Sequence, residues 1–429
     1  MHAKHTIFIG KAVQQIAKLR GGGTALPGLV VEKLDKQFVG RMLGELPLGV
    51  VVITGTNGKT TTTKIVSELL THVGLRVLTN KTGSNFVRGI AATILSEVDK
   101  SGKLPHDIAV LELDEAHAVQ FIKNAPVDHA LILNVMRDQL DRFGEIDYTA
   151  KLVRKLALSA RKNVVLNRDD PRVAAIADEL LHSVHATYFG ADPSLHEIFV
   201  SDDKLHQSPG EQPLPPKQSH PAIVELAAFD EGSATFRIGN ALHETPMQLN
   251  GVYNFLNAAG ALALCKAIVG NRVTDDAFVA ALEGINPAFG RGETLRIGDR
   301  DVELILVKNP AGFRLALASF NPADTDVMIA INDNYADGRD MSWLWDVDFS
   351  SLQASGVRAV TGIRAYDMAL RLQYDSVSFD QVEPDLKRSV KAFLSAADGS
   401  HKQRIFCTYT AMLQLRRVLK KYTKLEIMG

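Results

Sequence analysis

The stretch that most constrains this chain runs from Val51 to Leu70 and reads VVITGTNGKTTTTKIVSELL. It opens on a β-branched run typical of a buried parallel strand, and apolar residues recur at helical spacing after Lys59. The two glycines between these parts allow a tight turn, so that backbone N–H groups and a helix N-terminus face one anion. The stretch therefore predicts a strand, a phosphate-binding loop and a helix.

The loop supplies the groups that a nucleotide phosphate needs. Lys59 provides a point charge for the β- and γ-phosphates, and Thr60 offers a hydroxyl to Mg²⁺. The spacing is shorter than GxxxxGK[ST], and the alternative is a tight turn with a surface lysine. Four threonines in succession are poor helix formers and favour the phosphate role. The predicted nucleotide-binding residues of the loop are Gly55, Thr56, Asn57, Gly58, Lys59, Thr60 and Thr61.

The composition is that of a globular chain with no global attraction to nucleic acid or anionic membranes. Of its 429 residues 46% are hydrophobic and 23% charged, and the net charge is −1. At roughly 150 residues per domain, two or three domains are expected. Cys265 and Cys407 lie far apart in apolar surroundings, so we expect two buried thiols in a reducing cytoplasm. The N-terminal segment lacks the pattern of a signal peptide or membrane span.

Several strands after the loop end in polar residues, as parallel strands around a ligand crevice do. Ser84 lies in the loop after a predicted strand at 76–78, where its hydroxyl could reach the same Mg²⁺. Glu112 ends the next strand and is the predicted acidic metal ligand; the alternative is a solvated strand end or helix cap. For Asp114 and Glu115 the choice between a metal-binding role and a structural role stays open, because three neighbouring acids cannot all bind one metal.

The chain divides by composition into an α/β domain at residues 1–288 and a smaller α/β domain at 289–429. A lead-in is predicted as a helix at 7–19, followed by a Pro-Gly turn and a short strand in ALPGLVVEKLD. The segment at about 196–222 carries five prolines and few large apolar residues, which indicates a flexible insertion. The second domain is predicted as Rossmann-like, with strands at 303–307, 327–331, 359–361 and 405–408.

A series of motifs resembles the Mur ligase superfamily, ATP-dependent enzymes that activate a carboxylate as an acyl phosphate. In chain order they are TGTNGKTTT, Glu112, RDQLDR, NRDDP, GVYNFLNA, GRGE and KNPAG. The segment NDNYADGRDMSWLWDVDF is similar to the MurT group of this superfamily, whose synthetase works with a GatD-type glutaminase subunit. The resemblance implies ATP and Mg²⁺ as cofactors. It also implies amidation of the α-carboxylate of D-glutamate in the lipid II stem peptide to D-isoglutamine, at the inner face of the membrane.

The resemblance also implies roles for four residues outside the loop. Asn254 and Asn257, on adjacent turns of one predicted helix, match asparagines placed against the adenine; the alternative is that they cap a turn. Arg291 matches an arginine that orients nucleotide or acyl phosphate, against the alternative of a surface salt bridge. Lys151 stands where many members carry a carbamylated lysine, but we do not expect the modification here.

The aspartates of the segment NDNYADGRDMSWLWD are implied partners of the glutaminase, completing its catalytic triad. Asp340, just past the glycine at the expected loop tip, ranks before Asp337 and Asp346. The segment also holds both tryptophans, Trp343 and Trp345, which indicates either a docking surface or a local core under the loop.

One departure from the MurT group concerns zinc. Members often carry a four-cysteine zinc ribbon, but the proline-rich segment here contains no cysteine, so no such site is expected. Two alternatives to the amidation function remain. One is an amino-acid-adding Mur ligase or folylpolyglutamate synthetase, and the other is a nucleotide-regulated scaffold without turnover.

Overall fold

The structure is a computed structural model that describes residues 3–19, 25–80, 86–137, 146–199, 220–230, 232–249, 251–286, 291–396 and 401–423. The chain divides into two compact units. The first comprises Met1–Val135, Asp147–Gln248 and Asn254–Ile285, and the second comprises Met136–Ile146, Leu249–Tyr253 and Asn286–Gly429. The sequence-based boundary after residue 288 and most of the proline-rich segment lie outside the described residues.

The first unit is built on one large sheet. Its described strands are β1 Gly49–Thr54, β2 Val77–Thr79, β3 Ile108–Glu112, β4 Val127–Ile132, β5 Ala160–Asn167, β6 His185–Ala191, β7 Val224–Asp230, β8 Ser233–Ile238 and β9 Ala241–Pro246. Their order is β2-β3-β1-β4-β5-β6-β7-β8-β9, with parallel pairing up to β7 and antiparallel pairing beyond it. β1 is buried along its whole length between β3 and β4, as its continuous β-branched run predicts.

The helices up to residue 281 pack on this sheet or lead into it. They are α1 Ala3–Leu19, α2 Ala25–Leu34, α3 Phe38–Leu43, α4 Lys59–His72, α5 Val87–Glu97, α6 Glu115–Phe121, α7 Ile146–Ala157, α8 Pro171–Ala174, α9 Val252–Val269 and α10 Asp275–Ala281. The stretch Val252–Arg272 is apolar and long enough to cross a membrane, but 72% of its apolar 18-residue window is buried inside the fold. A core helix of a globular unit has the same composition.

The prediction of a turn and strand in ALPGLVVEKLD is wrong, because this segment forms the helix α2. Pro27 lies in the first turn of α2, where the missing N–H group leaves no intrahelical bond unmade. Gly28 lies so close to α5 that a Cβ atom would come within 1.9 Å of the Arg88 carbonyl oxygen. Close packing of two helices therefore overrides the local turn signal of Pro-Gly.

The second unit contains a six-stranded sheet with helices on both faces. Its described strands and helices are β10 Arg291–Ile297, β11 Arg300–Leu306, α11 Pro310–Leu317, β12 Thr325–Ala330, β13 Val357–Thr361, α12 Ala365–Tyr374, β14 Phe379–Glu383, α13 Leu386–Ala396, β15 Lys402–Cys407 and α14 Tyr409–Leu419. The strand order is β10-β11-β15-β12-β13-β14, and only the β10–β11 pair is antiparallel. The predicted α/β fold class is confirmed.

Each face of the second sheet has its own hydrophobic core. One core is formed with α11 and α12 around Phe313, Phe349 and Phe406. The other is formed with α13 and α14 around Phe393 and Leu415. Since both faces are covered, ligands have access at the strand ends, where loops leave the sheet.

Candidate active site

The phosphate loop connects β1 to α4 at the carboxyl edge of the first sheet. Gly58, which precedes the first residue of α4, has φ +89°, a left-handed conformation that favours glycine. A Cβ atom at Gly58 would lie 2.3 Å from Oδ1 of Asn257, so the amide of α9 lies directly against the loop. The strand, loop and helix therefore have the arrangement that the sequence predicts.

The threonines that follow Lys59 are all buried in the first turns of α4. The hydroxyl of Thr62 donates to the Gly58 carbonyl at 2.9 Å, which ties the helix start to the loop. The hydroxyl of Thr60, in the first turn of α4, donates at 2.9 Å to Oε1 of Glu112, the last residue of β3. Two of these poor helix formers, Thr60 and Thr62, thus use their hydroxyls at the helix start, whereas the Thr63 hydroxyl is buried without a hydrogen-bond partner among the described residues.

The ammonium of Lys59 lies within the loop rather than in solvent. Its Nζ donates to the carbonyl oxygen of Gly55 at 2.6 Å and to Oε1 of Glu115 at 3.1 Å. Glu115 is only 3% exposed and begins α6, so its carboxylate is held at a helix N-terminus. The Lys59 ammonium therefore lies inside the predicted phosphate-binding loop.

Thr60 and Glu112 offer oxygen atoms of the type that Mg²⁺ prefers. No group of three or more His, Cys, Asp or Glu residues able to hold a metal occurs among the described residues. Mg²⁺ keeps several waters and binds nucleotide phosphates directly, so it needs only one or two protein carboxylates. Ser84, the other predicted metal ligand, lies outside the described residues.

Two asparagines that the sequence analysis did not single out make hydrogen bonds to the backbone of this site. Asn80 follows β2; its Nδ2 donates to the Glu112 carbonyl at 3.0 Å, and its Oδ1 accepts from the Glu112 N–H at 2.9 Å. Asn134, just beyond the end of β4, makes the same two-bond arrangement with the backbone of Asn57. An asparagine directly behind a predicted strand was the available signal for both.

The other residues to which the resemblance gives roles in the synthetase site have different surroundings. Asn254 and Asn257 are both buried on α9, with Nδ2 of Asn257 donating to Oδ1 of Asn254 at 3.5 Å. Lys151 is exposed on α7. Arg291 opens β10 in the second unit, and its side chain is outside the described part of the structure. The first unit therefore brings together the loop, Glu112 and Asn257.

The three candidate aspartates of the second unit differ in burial. Asp337 is buried and accepts hydrogen bonds from the N–H of Thr410 at 2.7 Å and the N–H of Asn334 at 3.0 Å. Burial raises the pKa of Asp337 above its usual value. Its carboxylate is therefore engaged in fastening the loop after β12 to the start of α14.

Asp340 and Asp346 are exposed; Asp340 precedes the short 3₁₀ helix Ser342–Asp346, and Asp346 is its last residue. The carboxylate of Asp340 accepts the Ser342 N–H at 2.9 Å, and the serine hydroxyl and N–H together lower the pKa of Asp340. The backbone carbonyl of Asp346 accepts a hydrogen bond from Arg314. Of the three, Asp340 has a carboxylate that is both exposed and held by a hydrogen bond to the backbone.

The two tryptophans of this helix have opposite environments. Trp343 packs against the core around Phe313. Trp345 is 47% exposed, makes an edge-on ring contact with Tyr374 at 5.0 Å, and has the Arg371 guanidinium 5.5 Å from its ring centre. The local-core interpretation thus describes Trp343, and the surface interpretation describes Trp345.

Comparison with known proteins matches both units to families. The Mur ligase middle domain matches residues 53–265, and the MurT ligase C-terminal domain matches residues 306–412. A Streptococcus pneumoniae protein, lipid II isoglutaminyl synthase (glutamine-hydrolyzing) subunit MurT, is 30% identical over 98% of both chains. Its Staphylococcus aureus (strain COL) counterpart is 29% identical over 86% of this chain and 87% of its own.

Among solved structures, MurF ligase from Thermotoga maritima in complex with ADP aligns with TM-score 0.67 and 18% identity, over 92% of this chain and 83% of that one. E. coli FolC in complex with DHPP and ADP aligns with TM-score 0.61 and 15% identity, over 90% of this chain and 92% of that one. The fold is that of the Mur ligases, and the MurT relatives show an ATP-using ligase of the Mur class. Within that class, the chain belongs to the MurT family.

Proposed function

We propose that this chain is the synthetase subunit of a lipid II isoglutaminyl synthase. The observation that carries the proposal is the end-to-end match to the Streptococcus pneumoniae MurT subunit, over 98% of both chains. In this proposal the chain uses ATP to convert the α-carboxylate of D-glutamate in the lipid II stem peptide to the amide of D-isoglutamine. The reaction takes place in the cytoplasm at the inner face of the membrane, where lipid II is displayed.

The chemistry requires activation, because a carboxylate does not react with ammonia until one oxygen becomes a leaving group. Transfer of the γ-phosphoryl group to the carboxylate forms an acyl phosphate and releases ADP. Ammonia then attacks the carbonyl carbon, the bond from carbon to the phosphate oxygen breaks, and the nitrogen loses one proton. Phosphate and the primary amide are the products.

The residues of the phosphate loop suit the first of these steps. Lys59 would leave the Gly55 carbonyl and Glu115 to contact the β- and γ-phosphates, stabilising the charge that develops during transfer. Thr60 and Glu112 would hold Mg²⁺, which neutralises phosphate charge when bound. Asn257, whose amide lies against Gly58, would contact the nucleotide beside the loop. Arg291 and Asn254 keep their proposed nucleotide roles.

Ammonia would come from a second, GatD-type subunit that hydrolyses glutamine with a cysteine nucleophile. This chain has two cysteines, Cys265 and Cys407, and both are fully buried. Burial raises the pKa of each thiol well above its usual range, which disfavours the reactive thiolate. A partner must therefore supply the thiol, and we assign to Asp340 the role of orienting the partner's histidine.

An exposed aromatic surface next to the Asp340 segment suits the docking of that partner. Tyr366, Leu370 and Tyr374 follow one another at four-residue intervals on the exposed face of α12, and Trp345 contacts Tyr374. Asp340 accepts the N–H group at the start of the 3₁₀ helix that carries Trp345. Trp and Tyr are the residues that dominate interface energies. We name these four residues the α12 surface.

The alternative of an amino-acid-adding ligase has less support. The UDP-N-acetylmuramoylalanine--D-glutamate ligase of Nitrosomonas europaea matches only 51% of this chain and 40% of its own length. The similarity to FolC, at 15% identity, concerns the fold alone. The second unit instead matches the MurT C-terminal domain.

The test is reconstitution of the chain with a GatD-type glutaminase, ATP and Mg²⁺. Lipid II, the nucleotide-linked precursor and free amino acids are offered in turn, with either glutamine or ammonium as nitrogen source. We expect amide formation on the stem peptide with both nitrogen sources and ADP release in equal amount. Condensation of a free amino acid would indicate the Mur ligase or folylpolyglutamate alternative, and nucleotide binding without turnover would indicate a scaffold.

A further inference from the structure

The side-chain amide of Asn134 makes two hydrogen bonds to the backbone of Asn57 in the phosphate loop. Its Oδ1 accepts the N–H of Asn57 at 2.9 Å, and its Nδ2 donates to the carbonyl of Asn57 at 3.1 Å. Its own backbone carbonyl accepts the N–H of Thr56 at 3.0 Å. Three hydrogen bonds therefore join the end of β4 to two consecutive residues of the loop.

The loop and Asn134 are also in close steric contact. Gly55 has φ +137°, and a Cβ atom on it would lie 2.9 Å from the backbone nitrogen of Asn134. A planar amide that pairs with both the N–H and the C=O of one residue restricts rotation of the peptide planes on either side. The loop is thereby held against β4, with its glycine allowing the approach.

The N–H groups of the loop fall into two sets, those bonded to Asn134 and those that follow at the start of α4. Those of Thr56 and Asn57 point towards Asn134. A bound phosphate is therefore met by the N–H groups from Gly58 onwards, at the start of α4, together with Lys59. The direction of the Asn57 peptide decides where the following N–H groups point.

We propose that Asn134 is a positioning residue for nucleotide binding, which fixes the phosphate loop in the conformation that receives the phosphates. The inference rests on the proposed use of ATP by this loop. Asn134 does not contact the reacting atoms in this role; it acts through Asn57 and Thr56.

Asn167 offers a matched control from the same edge of the same sheet. It ends β5 and is buried; its Nδ2 donates to the carbonyl of Leu133 at 2.9 Å, and its Oδ1 accepts the N–H of Asp169 at 3.0 Å. It therefore makes two side-chain hydrogen bonds to backbone groups, as Asn134 does, but to residues outside the phosphate loop. A role confined to sheet stability would make the two asparagines equivalent.

The experiment compares Asn134→Ala, Asn134→Asp and Asn167→Ala in the full chain. The dissociation constant of MgADP is measured by calorimetry, and the thermal midpoint is measured for each variant. For Asn134→Ala we expect MgADP affinity to fall about tenfold or more, equivalent to about 1.4 kcal/mol. For Asn167→Ala we expect a similar loss of thermal stability with affinity within about twofold of the wild type.

Asn134→Asp keeps the shape and the acceptor for the Asn57 N–H but places a carboxylate oxygen against the Asn57 carbonyl oxygen, which repels it, so MgADP affinity should also fall. If Asn134→Ala fails to fold, the MgADP affinity of Asn134→Asp tests the inference in its place. In ammonia-driven amidation, Asn134→Ala should raise KM for ATP more than it lowers kcat. Unchanged MgADP affinity in the Asn134 variants, or an equal loss in Asn167→Ala, would overturn the inference. A wild-type chain that binds no MgADP would instead contradict the proposed function.

Discussion

At the scale of single residues, Lys59 has two sets of partners, one seen in the structure and one proposed for the nucleotide. Without its side chain, the charge developing on the transferred phosphoryl group loses a cation. We expect Lys59→Ala to lower the amidation rate by about 10²- to 10³-fold, or about 3 to 4 kcal/mol, as for other preorganised electrostatic contacts. Lys64→Ala, on the same helix in a surface pair with Glu68, is the control and should retain activity.

Rates are measured with ammonium as the nitrogen source, and circular dichroism checks that Lys59→Ala is folded. Near-normal turnover by the folded Lys59→Ala variant would contradict the assignment of the phosphate loop.

Asp340 is tested by separating the two nitrogen sources. Asp340→Asn keeps an acceptor for the Ser342 N–H but removes the charge that would orient the partner's histidine. We expect glutamine-driven amidation to fall by at least about tenfold while ammonia-driven amidation survives. Asp348 is a matched control, since it is exposed, accepts the Ser350 N–H at 2.8 Å, and has its pKa lowered by that contact. Asp348→Asn should leave both activities intact.

Equal loss of both activities in Asp340→Asn would move the residue into the synthetase site. No loss would transfer the triad role to Asp337 or Asp346. Because Asp337 is buried and bonded to Thr410, Asp337→Asn should lower thermal stability as well.

Asp170 predicts a pH dependence of stability. Its buried carboxylate accepts N–H bonds from Val135 at 2.6 Å and Arg172 at 3.0 Å, yet burial raises its pKa from 3.8 to about 6. Because the pKa of Asp170 is higher in the folded state, the native protein binds more protons than the unfolded chain between these two pKa values. The contribution of Asp170 to stability therefore falls as pH rises through that window. Asp170→Asn removes the titration and keeps a capping side chain.

Urea unfolding of the wild type and of Asp170→Asn at several pH values measures this effect. The free energy of unfolding of the wild type, relative to the variant, should decrease between about pH 4 and about pH 6. A difference that does not change with pH would contradict the raised pKa.

At the scale of secondary-structure elements, α12 presents two different faces. Its inner face, with Met368 and Leu372, belongs to the core, whereas the α12 surface leaves Tyr374 71% exposed. We expect Leu370→Glu and Tyr374→Glu to weaken binding of the glutaminase by at least about tenfold, since a charge would be buried in the interface.

Leu242→Glu is the control for this surface, because the exposure of Leu242, at 61%, lies between those of Leu370 and Tyr374, but Leu242 belongs to β9 of the first unit. Binding is measured by titration of labelled glutaminase, and ammonia-driven amidation should be unchanged in all three variants. Unaltered binding in both α12 variants would remove this surface from the interface. Loss of ammonia-driven activity would show damage to the synthetase itself.

At the scale of the whole molecule, the sequence by itself determined the class of fold and the class of chemistry. The phosphate loop was identifiable because its glycines, lysine and hydroxyls act within a few consecutive residues, between a strand and a helix with clear periodicity. The α/β class followed from alternating elements, and the family from ordered motifs. Two cysteines in the whole sequence likewise exclude a four-cysteine zinc site.

The tertiary structure decided which side chains meet. Asn134 lies 77 residues from Asn57 and Glu115 lies 56 from Lys59, and these pairs form only because β4 and β3 both lie next to β1. Packing also decided that Ala25–Leu34 is a helix and that Trp343 is inside while Trp345 is outside. The physical reason is the same throughout. Propensity and periodicity act over one or two turns of chain, whereas burial and hydrogen-bond partners depend on the order of strands in the sheet.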